Sequence, residues 1–245
     1  ITSIYTETEK DYIRIQSLVG SSTNTLIRVL GNPRYDQVKA HADDFTRKRV
    51  ELLLNRKKRL VAGSMHLEDE QIILDSLITY MAQKNDIKVL WVPHEPSELE
   101  IDRLMKRFQQ SGLSVGVLWS KNDLRISDER VVIVNVVGIL SKLYWQGQIA
   151  YIGGGFSTGI HNVMEPAIAR LPVIFGPKFH HAHEAEELLE NGGGFCIQTG
   201  EEFISSLSGI LSSKDRLMDA SYAATNVIHQ NVGSATRIVR SLIRD

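Results

Sequence analysis

The 245-residue sequence has one cysteine, Cys196, and almost no excess charge of either sign. A single cysteine excludes an intramolecular disulfide framework and suits a reducing compartment. Lys+Arg 28 against Asp+Glu 29 leaves a net charge of -1, so bulk electrostatics make no case for a nucleic-acid partner. Long hydrophobic runs are missing too. The longest apolar stretch, Val131 to Leu140, is interrupted by Asn135 and is about half of the ~20 residues a membrane-spanning helix needs. Internal repeats, low-complexity tracts and Pro/Ser-rich linkers are absent, and the composition excludes collagen, long disorder and coiled coil. No Met and no charged-then-apolar leader stand at Ile1, so the sequence reads as the interior of a longer protein whose amino-terminal part lies outside it. What is present is 42% hydrophobic and 23% charged residues. That fits one large domain or two small ones, and a chain this long buries about 70–75% of its unfolded surface.

Strand-like and helix-like periods alternate along the chain. Strands are predicted at Ile1–Tyr5, Thr25–Leu30, Arg59–Ala62, Ile87–Val92, Ser114–Trp119, Val131–Val134, Ile149–Ile152, Pro172–Phe175 and Phe195–Gln198. Thr6 and Glu9 have capping-box spacing ahead of a first helix, and a second helix is predicted over Val38–Leu54. Further helices are predicted at Glu68–Gln83, Ser97–Gln110, Ile139–Trp145, from Pro166, and at Glu184–Leu189, Glu201–Leu211, Lys214–Gln230 and Ser234–Ile243. Short Val/Ile/Leu-rich strands each followed by a helix mean parallel strands joined by crossovers. The expected fold is α/β, a doubly wound, mostly parallel, Rossmann-like sheet. In that architecture ligands bind beyond the carboxyl ends of the strands, which turns the strand list into a site list.

After Ala62 come Gly63, Ser64, Met65 and His66, then Glu68, Asp69 and Glu70 in the first turn of a helix. Gly63 permits a tight turn, and Ser64 either caps the helix or donates to a ligand oxygen. The three acids fit a helix dipole. After Val92, the stiff segment Pro93-His94-Glu95-Pro96 either presents His94 to a base or sugar or simply starts the next helix. After Val134, Gly138 and Ile139 open a helix whose free N–H groups suit an anion. The richest segment follows Ile152. Gly153, Gly154, Gly155 and Gly159 make a close-approach loop, followed by His161, Asn162, Glu165 and Pro166. Pro166 belongs in the first turn of a helix, which puts Asn162 and Glu165 at its entrance. Glu165 has two oxygens for both hydroxyls of a ribose, and capping is the alternative use of either residue. His180, His181 and His183 follow Phe175, but they lie adjacent in sequence with no Cys or carboxylate partner, so no metal is expected. A phosphate loop and His-Glu-x-x-His are missing. A ribose-binding acid after Phe175 is missing as well.

Gly31-Asn32-Pro33-Arg34-Tyr35-Asp36, Gly63-Ser64-Met65-His66, Val92-Pro93-His94-Glu95-Pro96, the triple glycine, His161-Asn162-Val163-Met164-Glu165-Pro166 and Phe175-Gly176-Pro177 stand in an order and spacing that resemble the bacterial Kdo transferases. The resemblance covers about residues 1–200 and the carboxyl half of that family. It implies a GT-B glycosyltransferase, with two Rossmann-like domains facing a cleft, that moves 3-deoxy-manno-octulosonic acid (Kdo) from CMP-Kdo to a lipid A precursor in lipopolysaccharide biosynthesis. It implies no cofactor, no metal and no nucleic-acid partner. Residues 1–24 are then the last strand and helix of an amino-terminal domain, 25–245 the donor domain, and the catalytic base lies outside the chain. Membrane contact, at the cytoplasmic face of the inner membrane, comes through the lipid acceptor. Carried onto this sequence, the resemblance makes Gly63, Ser64 and His66 donor contacts and sets Pro93 and His94 beside the cytosine. Amides at Gly138 and Ile139 meet the phosphate, Gly154 and His161 line the donor loop, Asn162 lies beside the phosphate or Kdo, and Glu165 grips the ribose. The same fold with another donor, such as a UDP-sugar in a transferase or epimerase-like enzyme, is the alternative, as is a non-catalytic nucleotide-binding domain.

Overall fold

The computed structural model describes residues 1–19, 25–47, 52–121 and 126–244. Its strands are β1 (Ser3–Thr6), β2 (Leu26–Val29), β3 (Arg59–Met65), β4 (Lys88–Pro93), β5 (Val115–Leu118), β6 (Val131–Val134), β7 (Ile149–Ile152), β8 (Val173–Phe175) and β9 (Gly194–Cys196). Its helices are α1 (Glu9–Val19), α2 (Arg34–Thr46), α3 (Leu67–Gln83), α4 (Glu98–Gln110), α5 (Leu140–Leu143), α6 (Met164–Ile168), α7 (His183–Asn191), α8 (Gly200–Ile210), α9 (Lys214–Asn231) and α10 (Ser234–Arg244). The chain divides into two compact units, Ile1–Asp44 with Ile228–Asp245, and Phe45–Val227.

The larger unit holds one seven-stranded sheet in the order β5-β6-β4-β3-β7-β8-β9, with every pair parallel. Its central strands are apolar runs with both faces covered. Leu60, Leu90, Ile133, Val134, Ile149, Tyr151, Ile152 and Ile174 are all fully buried, as a parallel sheet between helical layers requires. Helices are cut by local chemistry. Ser97 accepts a hydrogen bond from the Glu100 N–H at 3.3 Å and starts α4. Thr199 does the same with Glu202 at 3.2 Å for α8. Ile101, Leu104 and Phe108, spaced for one face of α4, are its buried residues. From β3 the chain winds outward through β4 to β5 and β6, then returns to the other side of β3 with β7 and winds out through β8 and β9. The direction therefore switches between β3 and β7, and a crevice at their carboxyl ends is the expected ligand position.

The smaller unit pairs β1 with β2 in parallel, Ser3 with Leu26 through Thr6 with Val29. Asp36 accepts hydrogen bonds from the N–H groups of Gly233 (2.6 Å) and Ala235 (3.1 Å), closing the start of α10.

All nine predicted strands form, and several details differ from the sequence reading. The helix predicted over Val38–Leu54 runs instead over Arg34–Thr46, because Pro33 is suited to a helix entrance and the Tyr35 side chain is buried. Leu53–Asn55 is a separate 3-10 turn, and residues 48–51 of that prediction lie outside the described residues. The first capping box is Thr8 with Asp11, not Thr6 with Glu9: the Asp11 N–H donates to Thr8 Oγ1 at 3.1 Å, and the hydroxyl donates back to the Asp11 carboxylate at 2.6 Å. Residues 20–24, next to the expected boundary at 24/25, lie outside the described residues.

Candidate functional site

Strand β3 does not stop at Ala62. It continues to Met65 through a register shift between Ala62 and Met65. Ser64 takes a left-handed φ of 53° there, a conformation that costs a non-glycine residue energy. The cause is crowding at the switch between β3 and β7. The Gly153 N–H donates to the Gly63 carbonyl at 2.9 Å, and a Cβ on Gly153 would collide with the Ser64 carbonyl. Only glycine fits at 153. A Cβ on Gly63 would stand 2.6 Å from the Tyr144 hydroxyl and 3.0 Å from Leu140. Ser64 does not cap α3, since His66 occupies the cap position and makes no side-chain cap bond.

Three imidazoles gather beyond these strand ends. The His94 N–H donates to the Met65 carbonyl at 2.9 Å, and the His161 N–H to the Gly153 carbonyl at 3.2 Å. These bonds fix the backbones of the β4 exit and the glycine loop against the β3–β7 switch. The His66 and His94 rings stack at 4.3 Å, His94 and His161 lie 4.5 Å apart, and the Nε2 atoms of His66 and His161 are 2.8 Å apart. Burial, with His94, His66 and His181 nearby, holds the His161 imidazole below its ordinary pKa.

Of the acids that open α3, Glu68 is exposed and the other two are buried. Asp69 is fully buried. Its carboxylate accepts from the Tyr151 hydroxyl at 2.9 Å and from the Gly154 N–H at 2.7 Å. Burial raises the Asp69 carboxyl above its usual range, opposed by those hydrogen bonds and by His66. Glu70, also buried, takes both guanidinium nitrogens of Arg103 at 2.5 and 2.7 Å, tying α3 to α4. Neither role had a signal in sequence, because each partner lies far along the chain.

The glycine loop is compact. Gly154 has φ 91°, and a Cβ there would strike the Gly159 carbonyl, so the loop's close approach is to its own backbone. The Lys178 ammonium donates to the Ser157 carbonyl at 2.6 Å, and the Lys178 N–H to the Gly155 carbonyl at 2.9 Å, tying the loop to the β8 exit. Asn162 Oδ1 accepts from the Met164 N–H at 2.9 Å, an Asx turn leading into α6. Pro166 is the third residue of that short helix. Glu165 is half-buried, and its charge adds to the burial that lifts the Tyr144 phenol well above its usual value.

The expected residues fall into one neighbourhood in several steps. Gly63 is linked to Gly153 and Tyr144, Tyr144 to Glu165, and His66 to His94 and His161. Ser64 and Pro93 lie in the same strand ends, and Pro93 is buried in β4. Gly138 is exposed with φ 80°, while the Ile139 side chain is buried, leaving its backbone as the usable part. His180 and His183 stand apart beside Glu186 on α7, and His181 Nε2 lies 3.2 Å from the Ile160 carbonyl. Tyr144 and Asp69 are the residues that sequence reasoning missed.

The Rossmann-like sheet with its polar cluster at the switch point has the fold of one half of a GT-B protein. No protein-family model matches the chain. It is 33% identical to the 3-deoxy-D-manno-octulosonic acid transferase of Chlamydia pneumoniae over 162 residues, 64% of this chain and 36% of that protein. Against the Aquifex aeolicus protein of the same name it is 32% identical over 160 residues, covering 64% of this chain and 43% of the relative. The C-terminal CMP-Kdo binding domain of WaaA from Acinetobacter baumannii shares the fold with a TM-score of 0.61 at 19% identity, over 79% of this chain and 98% of that one. The chain is thus a relative of the Kdo transferases, with the fold of the carboxyl-terminal domain of WaaA. It spans about two-fifths of the length of the curated relatives it matches. Among the described residues no helix is long and apolar enough to cross a membrane.

Proposed function

We propose that the chain binds CMP-Kdo at the carboxyl ends of β3, β4 and β7, as the donor domain of a glycosyltransferase that moves Kdo to a lipid A precursor. The observation that carries this reading is the convergence at the topological switch: Gly63 and Ser64, His94, and Glu165 arrive there from three different parts of the chain. Glu165 accepts the ribose hydroxyls, and Pro93 and His94 flank the cytosine. Ser64 and His66 contact the donor, with Gly63 and Gly154 forming the floor. His161 and Asn162 lie toward the phosphate and Kdo, where the Asn162 amide group is oriented by its bond to the Met164 N–H. Departure of CMP develops negative charge on the phosphate, which the amides of Gly138 and Ile139 stabilise. The acceptor hydroxyl is activated by a base on an amino-terminal domain. Residues 1–24 belong with that domain, 25–245 with the donor domain, and the lipid acceptor brings the enzyme to the cytoplasmic face of the inner membrane.

Calorimetric titration tests this reading. CMP should bind, and UDP should compete poorly. Replacing Glu165→Ala should weaken CMP by roughly 10–150-fold, the equivalent of about 1.5–3 kcal/mol for charge-assisted hydrogen bonds. Unchanged CMP affinity in that variant rejects the ribose assignment, and absence of any saturable nucleotide binding rejects the donor domain.

A further inference from the structure

We propose that His66, His94 and His161 form a binding site for a divalent transition-metal cation of the zinc class. They are the one group of three potential ligands that comes together among the described residues, each offering a ring nitrogen within 4.8 Å of the others. The ligands are far apart in sequence and are brought together by the fold alone. His66 stands at the start of α3, His94 follows β4, and His161 ends the glycine loop after β7.

The spacing suits one ion. Metal–imidazole bonds of about 2.0–2.1 Å in a tetrahedral site put ligand nitrogens roughly 3.4 Å apart. The observed separations run from 2.8 Å between the two Nε2 atoms up to no more than 4.8 Å, so an ion requires shifts of up to about 1.4 Å and a turn of the near-parallel rings toward it. Three imidazoles without a carboxylate select zinc, copper or nickel over magnesium or calcium. Two of the backbones are anchored by the His94–Met65 and His161–Gly153 hydrogen bonds. The cluster is also accessible: His94 is exposed, and His66 and His161 are half-buried. Three protein ligands leave one tetrahedral position for an oxygen from solution or from a ligand anion.

One feature opposes a cation, namely the positive end of α3 at His66. Asp69 offsets it. That carboxylate is buried in the first turn of the same helix, is held by Tyr151 and Gly154, and is near enough to His66 for their charges to interact. The alternative use of the same geometry is a metal-free N–H···N hydrogen bond between His66 and His161 with His94 packed against both rings.

Zinc chloride titrated into the chelator-treated chain separates the two. The expected result is saturable binding of one zinc per chain. Loss of outer-shell partners alone costs about 10–100-fold in metal affinity, so His94→Ala, which removes a ligand, should weaken binding by at least ~100-fold. His183→Ala, on the separate histidine group, should leave it unchanged. Cobalt(II) added to the unaltered chain should give the intense visible bands of a tetrahedral site, a readout that needs no variant to fold. Absence of saturable zinc binding, absence of those bands, or equal affinity in a folded His94→Ala chain would overturn the proposal. Because the site shares its address with the proposed donor cleft, CMP is titrated in parallel with and without zinc. Zinc saturation without nucleotide binding leaves the cation site standing and overturns the donor reading. Nucleotide binding without zinc saturation does the reverse.

Discussion

The two ends of the seven-stranded sheet use buried polar groups in opposite ways. At the amino end they close the structure on itself. Arg56, 4% exposed, donates to the carbonyls of Ala169 (2.8 Å) and Gly147 (3.3 Å) and lies over the Trp145 ring. Gln148 donates to the carbonyls of Leu53 and Arg56, and Arg59 to that of Gln146. These hydrogen bonds of the three buried side chains all run to backbone carbonyls. At the carboxyl end, Asp69 and the glycines hold the frame, and the side chains above it, His66, His94, His161 and Glu165, are half-buried or exposed. One end of the sheet is a staple and the other a platform, although the strand interiors that join them are apolar. Buried polarity alone therefore does not mark a binding site. The distinguishing feature is whether the polar side chains are consumed by the protein's own carbonyls.

That contrast can be broken at either end. The largest effect is expected from Gly153→Ala, whose Cβ would enter the Ser64 carbonyl. Urea unfolding should show a loss of about 4 kcal/mol, because backbone on both sides must move. Asp69→Ala leaves the Tyr151 hydroxyl and the Gly154 N–H without their acceptor, and should cost about 3 kcal/mol and weaken CMP as well. Arg56→Met acts on the staple and should cost about 2 kcal/mol while leaving the CMP dissociation constant unchanged. A change in CMP affinity there would dissolve the distinction between the two ends.

The smallest effect concerns Asp128, an exposed carboxylate at the amino end that Lys57 and Lys88 hold below the ordinary 3.8, at about 2. A pKa depressed in the folded state stabilises above the unfolded value, and that contribution is lost as pH falls from about 4 to about 2. The melting temperatures of the parent chain and Asp128→Asn should differ slightly at neutral pH and converge across that window. Screening of an exposed pair keeps the difference small.

Much of the scaffold was legible beforehand. Val131–Val134 and Ile149–Ile152 are short β-branched or apolar runs that only a two-sided parallel strand accommodates, and Ser97 and Thr199 announce their helices through local hydrogen bonds. The glycine loop and the histidines flanking it could be located because strand ends at a parallel sheet's carboxyl side follow from the alternation itself. The roles within that neighbourhood were less legible. Glu68, Asp69 and Glu70 look alike as a string of acids, yet Asp69 is sealed under Gly154 and Glu70 is clamped by Arg103. Three adjacent histidines, His180, His181 and His183, drew attention, whereas the three that meet are spread from position 66 to position 161.

The order of amino acids by itself settled the parallel α/β architecture and pointed to the end of the sheet at which the proposed donor site lies, because hydrophobic period, glycine and proline act within a few residues of where they occur. Which histidines touch, which acid is buried and which glycine admits no Cβ were decided only when β7 returned beside β3. Those properties depend on distances between residues far apart in the sequence, and a local pattern carries no information about such distances.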